Sequence, residues 1–144
     1  MITLERTVRT TAPIEAVHAY LADFTHTEEW DPGTVRTTRE LGDGGVGTRY
    51  TNVSKFAGRE ATLSYVVQQV SAPDLVQLRG QNKSLTVTDT MRLRRLDDGG
   101  TEVGYRAEFD FQGVARWFEP VLRLPLKRLG DKAQLGMTEA LAKL

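Results

Sequence analysis

The chain contains no cysteine, which removes disulfides, thiol nucleophiles and thiolate-held metals at once. Histidine is nearly as scarce. His18 and His26 are the only two, and neither has an acidic or histidine partner at metal-ligand spacing. Neither sign of charge is in excess, with 19 basic and 19 acidic residues, so nothing suggests an electrostatic nucleic-acid binder. No apolar run is long enough to span a bilayer, and Met1-Ile2-Thr3-Leu4-Glu5-Arg6 lacks the apolar stretch of a signal peptide. There is no serine-centred elbow, and the glycine-rich stretch 42–47 precedes a strand pattern rather than a helix, so it reads as a hairpin turn and not a phosphate loop. These absences lead to an expected soluble cytoplasmic protein, a monomer or homodimer with no metal, no cofactor, no nucleic-acid partner and no integral membrane association. Its 144 residues fit a single domain spanning 1–144 with one substantial core.

What the chain does have is two-residue alternation broken by turn chemistry. Ile2 to Thr11 alternates as a strand. Pro13 then sits at a helix start, where its missing N–H costs little, and Ile14, Val17, His18 and Leu21 give a short amphipathic helix with His18 partly exposed. A second short helical or turn segment follows from Phe24 to Trp30, closed by Asp31-Pro32-Gly33. Strands are expected at Thr34–Leu41, Val46–Phe56, Arg59–Val70, Leu75–Gln81, Ser84–Leu96 and Thr101–Phe111, separated by Gly, Asn, Asp and Pro turns. Short links imply an antiparallel meander.

Those turns also predict registers. A two-residue Ala57-Gly58 turn sets Phe56 against Arg59, Asn52 against Leu63 and Tyr50 against Tyr65. Pairing Val70 with Leu75 sets Val67 against Leu78. Pairing Gln81 with Ser84 sets Leu78 against Val87 and Val76 against Asp89. All three place Tyr50, Asn52, Leu63, Tyr65, Val67, Val76, Leu78, Val87 and Asp89 on one face. Val103, Tyr105, Ala107, Phe109 and Phe111 join it by alternation. The C-terminal stretch switches to helical spacing, with an inward stripe of Phe118, Leu122, Leu126, Leu129, Ala133, Met137, Ala140 and Leu144. Pro120 and Pro125 predict a helix irregular in its first third, with a kink or break near Leu124.

Asp89 is the anomaly in this pattern. In Leu85, Val87, Asp89, Met91, Leu93 it occupies a position on the hydrophobic face. A buried carboxylate must be paired, hydrogen-bonded, protonated or left beside water in a cavity, and the last option points to a hollow core. Asp89 is the best candidate for a general base or for orienting a ligand hydroxyl or amine. The structural alternative ties it to a tyrosine hydroxyl, to Arg6 or to Arg39.

The order of elements looks like the helix-grip fold: an α+β arrangement of six to seven curved antiparallel strands around a long C-terminal helix, with two short helices after the first strand. In Val8-Arg9-Thr10-Thr11-Ala12-Pro13-Ile14-Glu15-Ala16-Val17, the segment Phe24 to Trp30-Asp31-Pro32, Gly42 to Gly47 and the terminal helix with Phe118-Glu119-Pro120, the chain resembles the START-like (SRPBCC) superfamily in its bacterial polyketide cyclase/dehydrase and lipid-transport branch. It implies a cavity between sheet and long helix for a small hydrophobic or amphipathic ligand of the lipid, polyketide or isoprenoid class. It brings no universal catalytic residue.

The expected ligand contacts are Tyr50, Tyr65 and Tyr105, each an apolar body with a polar tip, together with Asn52, whose amide needs several partners in a dry core. Leu63, Leu78, Val87, Met91 and Phe109 supply apolar wall. Trp30 is either a cap at the cavity mouth or a plug beneath the short helices. Phe118 and Leu122 contribute from the helix, whose first third either gates the cavity or is simply kinked. The functional readings are a ligand binder or transporter, an aromatase/cyclase- or dehydratase-type enzyme using Asp89 and a tyrosine, or an interaction module with a vestigial cavity. Arg92, Arg94 and Arg95 read as a solvated outer face paired with glutamates such as Glu102. The helix basics suggest contact with a membrane surface, against which the balanced charge counts.

Overall fold

The structure is a computed structural model that describes residues 1–144. Alternation produces seven strands: β1 (Ile2–Thr10), β2 (Thr34–Leu41), β3 (Arg49–Phe56), β4 (Arg59–Ser71), β5 (Leu75–Gln81), β6 (Leu85–Arg95) and β7 (Thr101–Phe111). They form one antiparallel sheet in the order β1-β7-β6-β5-β4-β3-β2. Between β1 and β2 lie α1 (Ile14–Ala22), a 3₁₀ turn (Phe24–His26) and α2 (Thr27–Trp30). A second 3₁₀ turn (Gly113–Phe118) leads into α3 (Glu119–Leu141). This is the expected helix-grip arrangement, with the sheet wrapped on the long helix. No helix is long and apolar enough to cross a membrane.

The pairing across Ala57-Gly58 follows the expected register, Phe56 with Arg59 and Tyr50 with Tyr65. Two registers shift. Between β4 and β5, Val70 meets Val76 rather than Leu75, and an irregularity between Val67 and Gln69 restores Val67 opposite Leu78. Between β5 and β6, Gln81 meets Thr86 rather than Ser84, so Asp89 lies opposite Leu78. The Asn82 side chain causes this second slip: its Oδ1 accepts from the N–H groups of Ser84 at 2.8 Å and Leu85 at 2.9 Å, widening the loop. A slip of two residues keeps every side chain on its face. The strand expected from Val46 begins only at Arg49, because Gly42, Gly44 and Gly47 all take positive φ and extend the turn.

The inner face packs two apolar clusters. The larger joins Val17 and Leu21 of α1 to Leu78, Met91 and Val103 of the sheet and Met137 and Leu141 of α3. The smaller joins Ile2, Leu4, Ala107 and Phe111 to Leu126. His18 is buried, not partly exposed, and its Nε2 bonds the Leu75 carbonyl at 3.0 Å. α3 runs through Pro125 as one helix rather than breaking near Leu124. Phe118 is corrected from inward to 58% exposed: it ends the 3₁₀ turn, whose three residues per turn put it out of phase with α3. Leu144, just past the helix end, is also exposed. Glycine decides one close approach: a Cβ on Gly136 would lie 2.2 Å from the Trp30 carbonyl, so its absence lets α3 press on α2.

Candidate functional site

A cavity of about 130 Å³ lies between the inner face of the sheet and the N-terminal half of α3, lined by 22 residues of which 16 are hydrophobic. One wall comes from β6 and β7 through Val87, Asp89, Tyr105, Ala107, Phe109 and Phe111. β3 and β4 supply Asn52, Ser54, Phe56, Ala61, Leu63 and Tyr65. Trp30 and Asp31 close one side, and Leu126, Leu129, Gly130 and Ala133 of α3 form the lid. An apolar cavity of roughly 150 Å³ holds a benzene molecule, so the space fits about one ring.

Asp89 is 4% exposed, and no cation reaches it. The Tyr105 hydroxyl donates to its Oδ1 at 2.6 Å, and Tyr65 is near enough to lower its pKa slightly. Arg6 is committed elsewhere, to Asp131 at 2.9 Å and to the Lys127 carbonyl at 3.2 Å. Arg39 pairs with Asp23 at 3.4 Å. Burial therefore dominates and raises Asp89 from the ordinary 3.8 to about 6; Tyr105 and Tyr65 pull the other way, while the negative charge of Asp31 adds to the rise.

Asp31 is a second carboxyl on the cavity wall. Its Oδ1 accepts from the Gly33 N–H at 3.0 Å and its Oδ2 from the Thr34 hydroxyl at 3.0 Å. Burial, the leading cause, raises its pKa above the usual value. Burial likewise pushes the Tyr65 and Tyr105 hydroxyls well above 10, with the two aspartates adding to the effect. Both phenols stay protonated and can only donate or accept hydrogen bonds. The Tyr65 ring lies over β5 because its cross-strand partner is Gly80; a Cβ there would sit 2.5 Å from the ring.

The expected contacts divide by position along the sheet. Trp30, Asn52, Leu63, Tyr65, Val87, Asp89, Tyr105 and Phe109 line the cavity. Trp30 is fully buried and meets the Tyr105 ring edge-on at 5.6 Å, so it is a plug rather than a cap. Asn52 lines the cavity with its amide already occupied: Nδ2 donates to Thr37 at 2.8 Å and Oδ1 accepts from Ser54 at 2.5 Å. Tyr50, Leu78 and Met91 do not line it. They share the inner face but lie fully buried in the larger cluster, where α1 and the first 3₁₀ turn cover the sheet. Phe118 points to solvent, and Leu122 is half-buried against the smaller cluster.

Sequence reasoning missed Asp31, Phe56, Leu85, Leu126 and Leu129 as lining residues. The first was hidden by its turn context, Asp31-Pro32-Gly33. Leu126 and Leu129 were legible as inward positions of the helix. No group of three or more metal-ligating carboxylates or histidines forms. Chemically, the arrangement is an apolar enclosure with one polar wall: a titratable carboxyl, two phenol donors and a second carboxyl held by its own turn.

Comparison with solved structures places the fold. The Zhui aromatase/cyclase from Streptomyces sp. R1128 matches with a TM-score of 0.77 at 17% identity, covering 96% of this chain and 90% of that one. A START superfamily protein from Mycobacterium smegmatis matches with a TM-score of 0.79 at 10% identity, over 96% of each chain. Half of the di-domain aromatase/cyclase BexL from the BE-7585A biosynthetic pathway also superposes, with a TM-score of 0.70 at 13% identity over 99% of this chain. At such identities these likenesses speak for the fold alone. Comparison with curated protein sequences finds no match. The family model for polyketide cyclase/dehydrase and lipid transport matches residues 1–144; with the sheet gripping its terminal helix over a lined cavity, the chain belongs to that family.

Proposed function

We propose that the protein is a single ligand-binding domain. It takes a small amphipathic molecule with its apolar body between Phe109, Leu126 and Ala133 and its polar group against Asp89 and Tyr105. One observation carries this reading: Asp89 is buried without a counter-cation in the wall of a mostly apolar cavity, where its hydrogen bond comes from the Tyr105 hydroxyl. A carboxyl in a dry filled core would cost several kcal/mol unless paired. Beside an occupied cavity it meets the ligand's hydroxyl or amine instead. Apolar burial at ~25 cal/mol per Å² drives association, and the polar wall sets orientation. The lipid, polyketide and isoprenoid classes all suit this chemistry. Since the cavity fits about one ring, a larger member extends through its mouth or widens it by movement of the lid half of α3. Pro125 in that half lacks the N–H that would bond one turn back, which favours such movement. Native mass spectrometry of the purified protein, followed by organic extraction, tests the reading. A retained apolar molecule supports it. A wild-type protein that neither retains nor takes up any such compound overturns it.

A second reading has its own observation. A carboxyl near 6 beside two phenols that stay protonated is suited to proton transfer at neutral pH. In an aromatase/cyclase-type reaction, Asp89 would remove the proton α to a substrate carbonyl while a tyrosine donates to the carbonyl oxygen. The aromatase/cyclase neighbours agree with this chemistry. The reading predicts turnover with an acid limb near pH 6 and its loss in Asp89→Asn. A binder shows no turnover.

A further inference from the structure

The start of the terminal helical rod exposes an unusual amount of apolar surface. Val114, Trp117, Phe118, Val121 and Leu124 range from 56% exposed at Leu124 to 82% at Trp117. Their spacing of three and four residues runs from the second 3₁₀ turn into α3, so they succeed one another along the outside of one rod. At 100° per residue, Val121, Leu124 and Arg128 fall within roughly 60° of each other, and Leu126 points about 140° away from Val121. The outer side is thus apolar where the inner side lines the cavity.

The charges around this strip are one-sided. Between residues 113 and 132 there are five basic side chains, Arg116, Arg123, Lys127, Arg128 and Lys132, and two acidic ones. Both acids are occupied: Glu119 pairs with the amino group of Met1, and Asp131 with Arg6. None of the five cations makes an ion pair. The whole chain is neutral, so this local excess is a property of the face rather than of the composition. Aromatic and aliphatic side chains flanked by unpaired basic ones are complementary to an anionic bilayer, where the apolar groups enter the headgroup–acyl boundary and the cations meet lipid phosphates. A second copy of the chain fits poorly, because a two-fold contact through the strip sets these unpaired cations against their own images.

We propose that residues 113–128 form a membrane-docking face, in which Val114, Trp117, Phe118, Val121 and Leu124 enter an anionic bilayer and Arg116, Arg123, Lys127 and Arg128 hold its phosphates. The face begins two residues after Phe111 and is backed by Leu126, both of which line the cavity. Docking therefore sets the cavity's lid against the layer in which apolar molecules dissolve. That consequence rests on the binding reading; docking itself does not.

The test is co-sedimentation of the full chain with vesicles of phosphatidylcholine alone and of phosphatidylcholine mixed with phosphatidylglycerol. Trp117 supplies an internal probe, since Trp30, the other tryptophan, is already 2% exposed. The expected result is binding to the anionic vesicles, a blue shift of tryptophan emission that Trp117→Ala abolishes, and release by salt. Trp117→Ala and the double variant Arg123→Glu/Arg128→Glu should each lower the partition coefficient by about tenfold or more. Both change exposed side chains, so their thermal transitions should match the wild type and separate lost docking from lost folding. Failure to bind anionic vesicles, equal binding to both lipids, or wild-type partition of both variants overturns the proposal. So does a concentration-dependent dimer in sedimentation velocity that Trp117→Ala dissolves, which assigns the strip to a second copy. A protein that docks but retains no ligand keeps this inference and removes the binding reading.

Discussion

Replacing Asp89 with asparagine should stabilise the protein, and by an amount that depends on pH. The buried carboxyl has its pKa raised from 3.8 to about 6, so the fold disfavours the ionised form. Below 3.8 the group is protonated whether the chain is folded or unfolded, and no penalty exists. Between 3.8 and about 6 the unfolded chain releases its proton while the fold keeps it, so stability falls as pH rises. Above about 6 the full penalty stands. At ~1.4 kcal/mol per pH unit, the rise from 3.8 to about 6 amounts to about 3 kcal/mol. The substituted amide carries no charge yet keeps an oxygen for the Tyr105 hydroxyl, so it removes the penalty and retains the hydrogen bond. For a chain of this length the gain corresponds to about 10 °C in Tm. Thermal and urea unfolding of both proteins between pH 4 and 8 measures it. The expected gap is widest at pH 8 and closes towards pH 4. An Asp89→Asn protein less stable than wild type at pH 8, or a gap that ignores pH, would refute the reasoning.

Three other outcomes follow from single contacts. Tyr105→Phe removes the hydroxyl that lowers the Asp89 pKa, so carboxyl-detected NMR titration should place that aspartate above about 6; an unchanged or lower value contradicts the hydrogen bond. Gly80→Ala drives a Cβ to within 2.5 Å of the Tyr65 ring and should cost about 1–3 kcal/mol in urea unfolding, whereas a neutral result would show that the ring is free to shift. The Tyr50 hydroxyl is buried without a hydrogen-bond partner, so Tyr50→Phe should leave stability unchanged or raise it by up to about 1 kcal/mol; a clear loss would reveal a partner, such as an internal water.

Much of the sheet was legible because turn chemistry and two-residue alternation are local. Even the wrong β5–β6 register left Asp89 and Val87 inward, since the Asn82 loop shifts the pairing by two residues and an even slip preserves the face. Alternation says which face a residue is on, not what covers it. Tyr50, Leu78 and Met91 share the inner face with Leu63 and Val87, yet one group lies in filled core and the other beside space. The difference depends on where α1 and α3 lie over the sheet, which is long-range packing. Phe118 failed for a local reason that periodicity cannot see, a change from 3₁₀ to α geometry one residue later. Asp31 was read only as a turn former, although that same turn places it in the cavity wall.

The central claim is that the cavity takes an apolar body and that Asp89 and Tyr105 hold its polar end. Protein-observed NMR titration with the matched pair phenol and benzene, on the wild type and on Asp89→Asn, tests it most directly. The account predicts that both ligands shift resonances of Ala107, Leu126 and Ala133, that phenol binds tighter than benzene, and that Asp89→Asn narrows the difference. Shifts confined to the surface, or equal affinity for the two ligands in the wild type, would contradict it.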